Sequence, residues 1–259
     1  MGLSYAKLVE LLVPVARRAG AAIMEVHRKC ASAQTKADGS PVTEADLAAE
    51  AIILAALKAL TPHIPVVSEE NAASHAGKAP VRFWLVDPLD GTKEFLKAAG
   101  KGAFTVNIAL IDNGYPVLGI VFAPALGRMF WGARNLGARE ASGESTREIG
   151  VREVPASGPV AVASASHRDA ETDDWLKANR IGQTVSIGSS LKFCLVAAGE
   201  ADVYPRFGPT MEWDTAAGDA VLRAAGGATA DVSGKPFAYG KAGYRNSGFI
   251  AYGRWRPSE

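Results

Sequence analysis

The chain has 259 residues, of which 48% are hydrophobic and 21% are charged, and its formal net charge is +1. This length and composition place it among globular proteins that can bury a large core. The near-neutral charge excludes non-specific attraction to nucleic acid or to an anionic membrane, so recognition of an anion requires a local cluster of charge.

Targeting and cysteine patterns narrow the class of protein further. No stretch reaches about 18 uninterrupted apolar residues, and residues 1–7 lack the basic and apolar regions of a secretory leader. Cys30 and Cys194 form neither a disulfide framework nor a zinc-binding spacing, and the apolar run around Cys194 predicts a buried thiol. We expect a cytoplasmic protein without an integral membrane span, either a monomer or a homodimer, and leave open peripheral contact with the inner membrane.

The N-terminal sixty residues predict two helices. Apolar residues recur at helical spacing through the first thirty residues and predict one long amphipathic helix. A second helix is predicted from Thr43 to near Leu60, and Thr43 and Asp46 have the spacing of a capping box.

The period then changes to that of β-strands. Short apolar runs at 65–67 and 83–86 each end near acidic residues, and 105–111 and 117–123 flank turn residues typical of an antiparallel hairpin. Residues 129–131 indicate a further strand. A polar stretch from Glu140 to Ser157 is interpreted as the separation of two halves, 1–155 and 156–259, of a single unit.

The second half predicts strands at 160–164 and 184–187 and helices that begin near Ser189 and Asp214, each ending at a glycine. Residues 249–252 predict a strand that closes the sheet.

The strongest chemical signal is the run Trp84-Leu85-Val86-Asp87-Pro88-Leu89-Asp90-Gly91-Thr92. We expect an apolar strand to deliver Asp87 to its end and Pro88 to force a turn that brings Asp90 back to the same point. Two converging carboxylates repel each other unless a hard divalent cation binds them. Gly91 and Thr92 are predicted to open a helix whose free N–H groups receive a phosphate. Taken alone, Asp-Pro and Asp-Gly are also common turn dipeptides.

This run resembles the first signature of the inositol monophosphatase superfamily, and its continuation Lys93-Glu94-Phe95 resembles the bisphosphate-nucleotidase branch. Residues 67–71 and 212–218 match the same superfamily by pattern and by order. The resemblance extends from the first helix nearly to the C-terminus. It departs at Asp219, where histidine is frequent in that branch, and in the linker 72–81.

The resemblance implies an α/β fold, a layered αβαβα sandwich, that uses two or three Mg²⁺ ions. The implied metal ligands are Glu69, Asp87, Asp90, Asp214 and the backbone carbonyl of Leu89. The groups implied to hold the attacking water are Glu69, Thr92 and Asp46. Read alone, Asp46 fits the capping box equally well, Glu69 is part of a solvated acidic pair, and Asp214 is a helix N-cap.

Further matches at 164–167, 187–193 and 204–209 imply substrate contacts. The residues implied to contact the substrate are Leu89, Asp90, Gly91, Thr92, His167, Ser189, Lys192, Arg206 and Asp214. A lysine and an arginine outside the metal site suit a second phosphate. The alternative interpretation makes Ser189 a helix cap, His167 a loop residue, and Lys192 and Arg206 surface charges.

The implied function is Mg²⁺-dependent hydrolysis of adenosine 3',5'-bisphosphate to AMP and phosphate, within sulfur metabolism, with 3'-phosphoadenosine 5'-phosphosulfate as a related substrate and with inhibition by lithium. An inositol or sugar monophosphatase with the same metal site is the alternative, and a non-catalytic phosphate-binding regulator is a third. The sequence contains no nucleotide-binding P-loop, zinc-protease motif, serine-hydrolase elbow or dinucleotide fingerprint.

Overall fold

Two β-sheets and the helices that cover them form the framework of the protein. The computed structural model describes residues 2–32, 41–96, 102–164 and 169–257. The α-helices in these ranges are α1 (Tyr5–Ser32), α2 (Pro41–Leu60), α3 (Thr92–Leu96), α4 (Ala170–Ala178), α5 (Leu191–Ala197) and α6 (Glu212–Ala224). The strands are β1 (Val66–Ser68), β2 (Arg82–Asp90), β3 (Thr105–Asp112), β4 (Tyr115–Ala123), β5 (Arg128–Ala133), β6 (Gly137–Ser142), β7 (Ser145–Ile149), β8 (Val160–Ser164), β9 (Gln183–Ile187), β10 (Val203–Arg206), β11 (Thr210–Met211), β12 (Ala228–Asp231), β13 (Arg245–Asn246) and β14 (Phe249–Tyr252).

The first sheet contains β1 to β7 in chain order. β1 is parallel to β2, and each later strand is antiparallel to the one before it. The predicted hairpin of β3 and β4 is confirmed, and its turn places Asn113 and Gly114 at positive φ of 52° and 77°. This is the backbone conformation that tight hairpins require.

The interpretation of residues 140–157 as a separating polar stretch is wrong for its first part, because β6 and β7 pair there. The polarity arises from charges that pair across strands: the buried carboxylate of Glu140 lies 2.6 Å from Arg128 and 2.5 Å from Arg147. Buried charges occur where they have partners. Because β6 and β7 carry such paired charges, their sequences lack the alternation of apolar and polar residues that identifies a half-buried strand. The predicted division at residue 155 falls between β7 and β8.

The second sheet has the strand order β12-β14-β10-β8-β9. The prediction that residues 249–252 close this sheet is wrong, since β14 lies inside it and is antiparallel to both β10 and β12. All four residues of β14 are buried. Burial on both faces explains the continuous apolar run, which by itself does not tell an edge strand from an interior one.

The helices form layers around the two sheets. α1 and α2 cover one face of the first sheet, α5 and α6 lie between the sheets, and α4 packs through Leu176 on the outer face of the second. The α/β class and the layered αβαβα sandwich are therefore confirmed. Sequence reasoning missed α4, whose N-cap Asp169 accepts a hydrogen bond from the Thr172 backbone N–H at 2.8 Å and which buries only two residues.

Other local predictions have mixed outcomes. The buried thiol of Cys194 is confirmed.

The capping box at Thr43 is wrong, because α2 already begins at Pro41 and Thr43 lies inside its first turn. Proline is favoured at the first helical position, since its fixed φ suits a helix and its missing N–H has no helical partner there. No helix in the described ranges combines the length and apolarity needed to cross a bilayer.

Close packing at Gly119 holds α6 against the first sheet. A Cβ atom at this residue of β4 would lie 2.2 Å from the Ala217 carbonyl oxygen and 2.7 Å from the Ala220 Cβ. Both neighbours belong to α6, which also carries Asp214. The absence of a side chain at residue 119 therefore sets the distance between α6 and the sheet.

We predict that Gly119→Ala lowers the free energy of unfolding by about 1–3 kcal/mol, because the added methyl group forces α6 away from β4. Urea denaturation measures the effect. Gly182→Ala is the matched control, because no heavy atom lies within 4 Å of a Cβ built there. Equal stability of the two variants would contradict the packing argument.

Candidate active site

Three carboxylates from distant parts of the chain meet at one point. Glu69 follows the end of β1, where its N–H donates to the Val86 carbonyl at 3.1 Å, Asp87 lies in the adjacent strand β2, and Asp214 lies in the first turn of α6. Each offers an oxygen atom, and these oxygens all lie within 4.8 Å of one another. The fold thus unites the three segments that carry the superfamily resemblance.

The expected turn at Pro88 is wrong. β2 continues through Asp90, and its pairing with β3 shifts register between Asp87 and Asp90. A β-bulge of this kind accommodates proline and changes the direction of neighbouring side chains, which replaces the role assigned to a turn. The predicted helix after Gly91 is present as α3, of which residues 92–96 are described.

Asp90 lies beside the three-carboxylate group but is not part of it. Its Oδ2 accepts a short hydrogen bond of 2.6 Å from the Ser190 backbone N–H. Burial raises the pKa of Asp90, while the charge of Lys192 and the bond from Ser190 oppose that rise. Its role as a metal ligand stays a prediction.

Burial and mutual repulsion raise the pKa values of the clustered carboxyls. Burial, followed by the charge of Asp90, raises the pKa of Asp214 to about 8. The pKa of Asp87 is raised well above its ordinary value by burial and then by Glu69. Partial loss of solvent is the chief cause that raises the pKa of Glu69, although this residue, like Glu70, remains exposed. A set of hard oxygen ligands that carries excess negative charge fits a divalent cation such as Mg²⁺.

Asp214 also contributes to the start of its helix. It is the third residue of α6, and its Oδ2 accepts a hydrogen bond of 2.9 Å from the Met211 backbone N–H. Met211 holds the N-cap position, so the interpretation of Asp214 as the N-cap is wrong by three residues. The bond from Met211 and membership of the cluster are compatible, because the carboxylate has two oxygen atoms.

Asp46 lies on α2, buried beside the acidic pair. Its side chain is 5% exposed, and its pKa is raised to about 8 by burial first and then by the charges of Glu70, Glu69 and Glu50. Because α2 begins five residues earlier, Asp46 does not cap the helix. Its proximity to Glu69 is what the predicted position near the attacking water requires.

A cleft of about 360 Å³ adjoins the cluster. The predicted site residues that line it are Asp90, Gly91, Thr92, Ser189, Lys192, Arg206 and Asp214. Leu89 is buried and is not among the lining residues, and Leu89 N–H donates to Asp87 Oδ1 at 3.0 Å. His167 lies outside the described residues.

Lys192 lines the cleft and contributes a positive charge to it. Its side chain is 5% exposed, its Nζ donates to the Ser189 carbonyl at 2.5 Å, and it lies 5.3 Å from the centre of the Tyr204 ring. Burial lowers its pKa to about 8, although the charge of Asp90 opposes this effect. The interpretation of Lys192 as a surface charge is therefore wrong.

Ser189 and Arg206 also line the cleft. Ser189 has a positive φ of 56°, and Ser190, rather than Ser189, is the N-cap residue of α5. The helix-cap interpretation of Ser189 is thus wrong by one residue. The Arg206 guanidinium is half-buried, and its Nε donates to the Gly208 carbonyl at 3.2 Å.

Several residues near the cluster were missed by sequence reasoning. Trp213 stacks on His75 at a centroid distance of 4.7 Å, and His75 Nε2 lies 2.7 Å from the Ser68 carbonyl oxygen. His75 belongs to the linker that departs from the superfamily, so no spacing could indicate it.

Asp219, the other departure, is fully buried on α6. It accepts hydrogen bonds from Arg223 at 2.9 Å, Thr229 at 2.7 Å and Tyr239 at 3.1 Å. This residue supports the helix from within the core, and it does not line the cleft.

Comparisons with known proteins agree with this geometry. The model of the inositol monophosphatase family matches residues 4–255. The 3'(2'),5'-bisphosphate nucleotidase CysQ of Escherichia coli K12 is 49% identical over 246 residues, which cover 93% of this chain and 98% of that protein. The protein of the same name from Buchnera aphidicola is 39% identical over 253 residues, with 95% and 94% of the two chains covered.

Solved structures give the same result. CysQ from Bacteroides thetaiotaomicron superposes with a TM-score of 0.85 at 37% identity and covers 96% of this chain and 98% of that one. An inositol monophosphatase from Zymomonas mobilis superposes with a TM-score of 0.78 at 25% identity, over 96% and 94% of the chains. The protein described here belongs to the inositol monophosphatase family, whose enzymes are metal-dependent phosphatases.

Proposed function

We propose that the protein is a Mg²⁺-dependent 3'(2'),5'-bisphosphate nucleotidase that hydrolyses adenosine 3',5'-bisphosphate to AMP and phosphate. The observation that carries this proposal is a cleft that adjoins the carboxylate cluster through Asp90 and Asp214 and is also lined by the buried Lys192 and by Arg206. A substrate with two separated phosphates suits such a cleft. The relatives named as nucleotidases support the choice of substrate.

Glu69, Asp87 and Asp214 would hold the cations, with Asp90 and the Leu89 carbonyl as further ligands, and we propose two or three Mg²⁺ ions. When bound, these ions supply Lewis-acid stabilisation of the phosphoryl group and of the leaving oxygen, and they lower the pKa of the attacking water. The excess negative charge of the carboxylates supports this assignment.

Protein groups near the cluster orient the attacking water. Thr92 lines the cleft at the start of α3, and its hydroxyl can both donate and accept a hydrogen bond. Asp46 and Glu69 offer carboxylate oxygens on the side of α2 and β1. We assign these three residues to positioning the water, and we assign the acceptance of its proton to the carboxylates of Asp46 and Glu69.

Lys192, Arg206 and Ser189 are assigned to the phosphate that is not hydrolysed. Arginine binds phosphate oxygens through two parallel hydrogen bonds, and a buried ammonium interacts strongly because little water screens it. His167 stays a predicted contact on the same side. Gly91 and Thr92, with Asp90 and Asp214, face the phosphate that is removed.

Phosphate release tests the proposal directly. The purified protein is assayed with adenosine 3',5'-bisphosphate and with inositol 1-phosphate, each in Mg²⁺ and in EDTA. Metal-dependent preference for the nucleotide is expected. Preference for inositol 1-phosphate would favour an inositol or sugar monophosphatase and contradict the assignment of Lys192 and Arg206. No turnover of either compound would favour a phosphate-binding regulator.

Asp90→Asn and Asp214→Asn are each expected to reduce kcat by more than about 100-fold, because each removes a charge that the cations require. The amide oxygen at residue 214 still accepts from Met211, so the fold should be retained, as circular dichroism would show. Asp112→Asn, at the end of β3, is the control and should keep full activity. Activity above about a tenth of the wild-type value in either variant would refute that ligand assignment.

Lys192→Met is expected to raise KM for adenosine 3',5'-bisphosphate about tenfold, because it removes a charged donor from the second phosphate. Hydrolysis of inositol 1-phosphate, which lacks that phosphate, should change by less than about threefold. Lys235→Met, in the exposed turn after β12, serves as the matched control. An equal loss on both substrates would indicate a general role for Lys192 in the metal site.

The raised carboxyl pKa values predict how pH affects the metal-free protein. Asp214 titrates near pH 8 in the folded chain and near 3.8 without its surroundings, so the folded state binds more protons between these values. The free energy of unfolding therefore falls as pH rises from about 4 to about 8.

Thermal denaturation in EDTA should give a lower Tm at about pH 8.5 than at about pH 6, and Mg²⁺ should raise Tm more at the higher pH, where the ligands are ionised. Asp214→Asn should show a weaker dependence on pH. A Tm in EDTA that rises with pH over this range would contradict the assigned directions of the pKa shifts.

A further inference from the structure

A buried chain of hydrogen bonds joins Asp90, at the end of β2, to Ser190, before α5, and both of these residues line the cleft. It contains Thr105 and Asn107 on β3 and Ser190 at the start of α5, and these residues are 0%, 1% and 2% exposed. The Thr105 and Ser190 hydroxyl oxygens lie 2.9 Å apart, and the Ser190 hydroxyl donates to Asn107 Oδ1 at 2.6 Å. Asp90 joins the chain because its Oδ2 accepts from the Ser190 N–H at 2.6 Å and lies 3.5 Å from the Thr105 hydroxyl.

The number of available protons fixes the direction of these bonds. Each hydroxyl has one proton, and that of Ser190 is used in its bond to Asn107. The Thr105 hydroxyl accepts from Asn107 Nδ2 at 3.3 Å, so its own proton faces two acceptors, the Ser190 hydroxyl and the Asp90 carboxylate. One hydroxyl group therefore faces both Asp90, a predicted metal ligand, and Ser190, the neighbour of the predicted substrate contact Ser189.

Ser190 lies close in the chain to two predicted substrate contacts. Ser190 lies between Ser189, which has a positive φ, and Lys192, whose ammonium group donates to the Ser189 carbonyl. The backbone that places Lys192 is thus attached to Asp90 through Ser190. A loss of order at Ser190 would affect Asp90, which accepts a hydrogen bond from the Ser190 N–H. It would also affect Lys192, which lies in the same turn.

We propose that Thr105 is a positioning residue that holds Asp90 and the turn from Ser189 to Lys192 in one geometry, so that its hydroxyl supports both cation affinity and nucleotide affinity. This inference rests on the proposed function for the nucleotide and on the family's metal dependence for the cation. Thr105 is fully buried and does not line the cleft, so it acts through Asp90 and Ser190.

Thr105→Val tests the proposal, because it removes the hydroxyl and keeps the side-chain shape. Thr105→Ser restores the hydroxyl and serves as the rescue. Thr229→Val is the matched control, since Thr229 is also buried and its hydroxyl donates to Asp219 at 2.7 Å, away from the cleft. If the Thr105→Val variant does not fold, Ser190→Ala removes the same hydroxyl contact from the other side.

Three quantities are measured: the Kd for Mg²⁺ alone by calorimetry, the Kd for AMP in EDTA, and the rate of amide hydrogen exchange at Ser190. Thr105→Val is expected to raise both Kd values and the exchange rate by about three- to tenfold, the effect of losing one buried hydrogen bond. Thr105→Ser and Thr229→Val should stay within about twofold of wild type in all three.

Unchanged Kd values together with a lowered Tm would overturn the proposal, because Thr105 would then serve stability alone. A change in only one of the two Kd values, for Mg²⁺ or for AMP, would overturn it as well. Failure of the wild-type protein to bind AMP would refute the nucleotidase assignment instead. In that case the Mg²⁺ affinity and the Ser190 exchange rate still decide the role of Thr105, since neither requires a nucleotide.

Discussion

Repulsion among three closely spaced carboxylates, of which Asp87 is buried, Asp214 half-buried and Glu69 exposed, is the constraint on which the rest of the structure depends. Glu69, Asp87 and Asp214 come from three distant segments, yet their oxygens lie within 4.8 Å of one another. Burial and proximity raise their pKa values, so the folded chain keeps protons that the unfolded chain would release. The arrangement lowers stability at neutral pH in the absence of a cation, and metal binding offsets this loss because the cation neutralises the charge.

The α6 helix is the element that holds the cluster together. It lies between the two sheets, approaches β4 closely at Gly119, and brings Asp214 to the end of β2. Glu212, at its first turn and fully buried, accepts hydrogen bonds from the backbone N–H groups of Gly240 and Lys241. Asp219 pairs with Arg223 further along the helix. The carboxylate of Asp219 is accommodated in the core because it has its own buried partners.

Opposite charges line the cleft beside the cluster. Lys192 is buried and has a lowered pKa, whereas Asp214 is half-buried and has a raised pKa. Asp90 interacts with the turn from Ser189 to Lys192 in two ways, electrostatically with Lys192 and by a hydrogen bond from the Ser190 backbone N–H. Under the proposed function, one phosphate of the substrate would lie at the cation site and the other beside the Lys192 ammonium group, and such a site favours ligands with two separated negative charges.

The sequence by itself determined the elements that depend on local pattern: helix α1, the hairpin around Gly114, and the acidic run containing Asp87 and Asp90. It also indicated the family, because three segments match by pattern and order. Tertiary structure alone decided the bulge at Pro88, the pairing of the charged strands β6 and β7, the interior position of β14, and the burial of Lys192. These features depend on partners that are distant in the chain. The spacing of hydrophobic residues and the composition of turns do not indicate which strands pair or which charges become buried together.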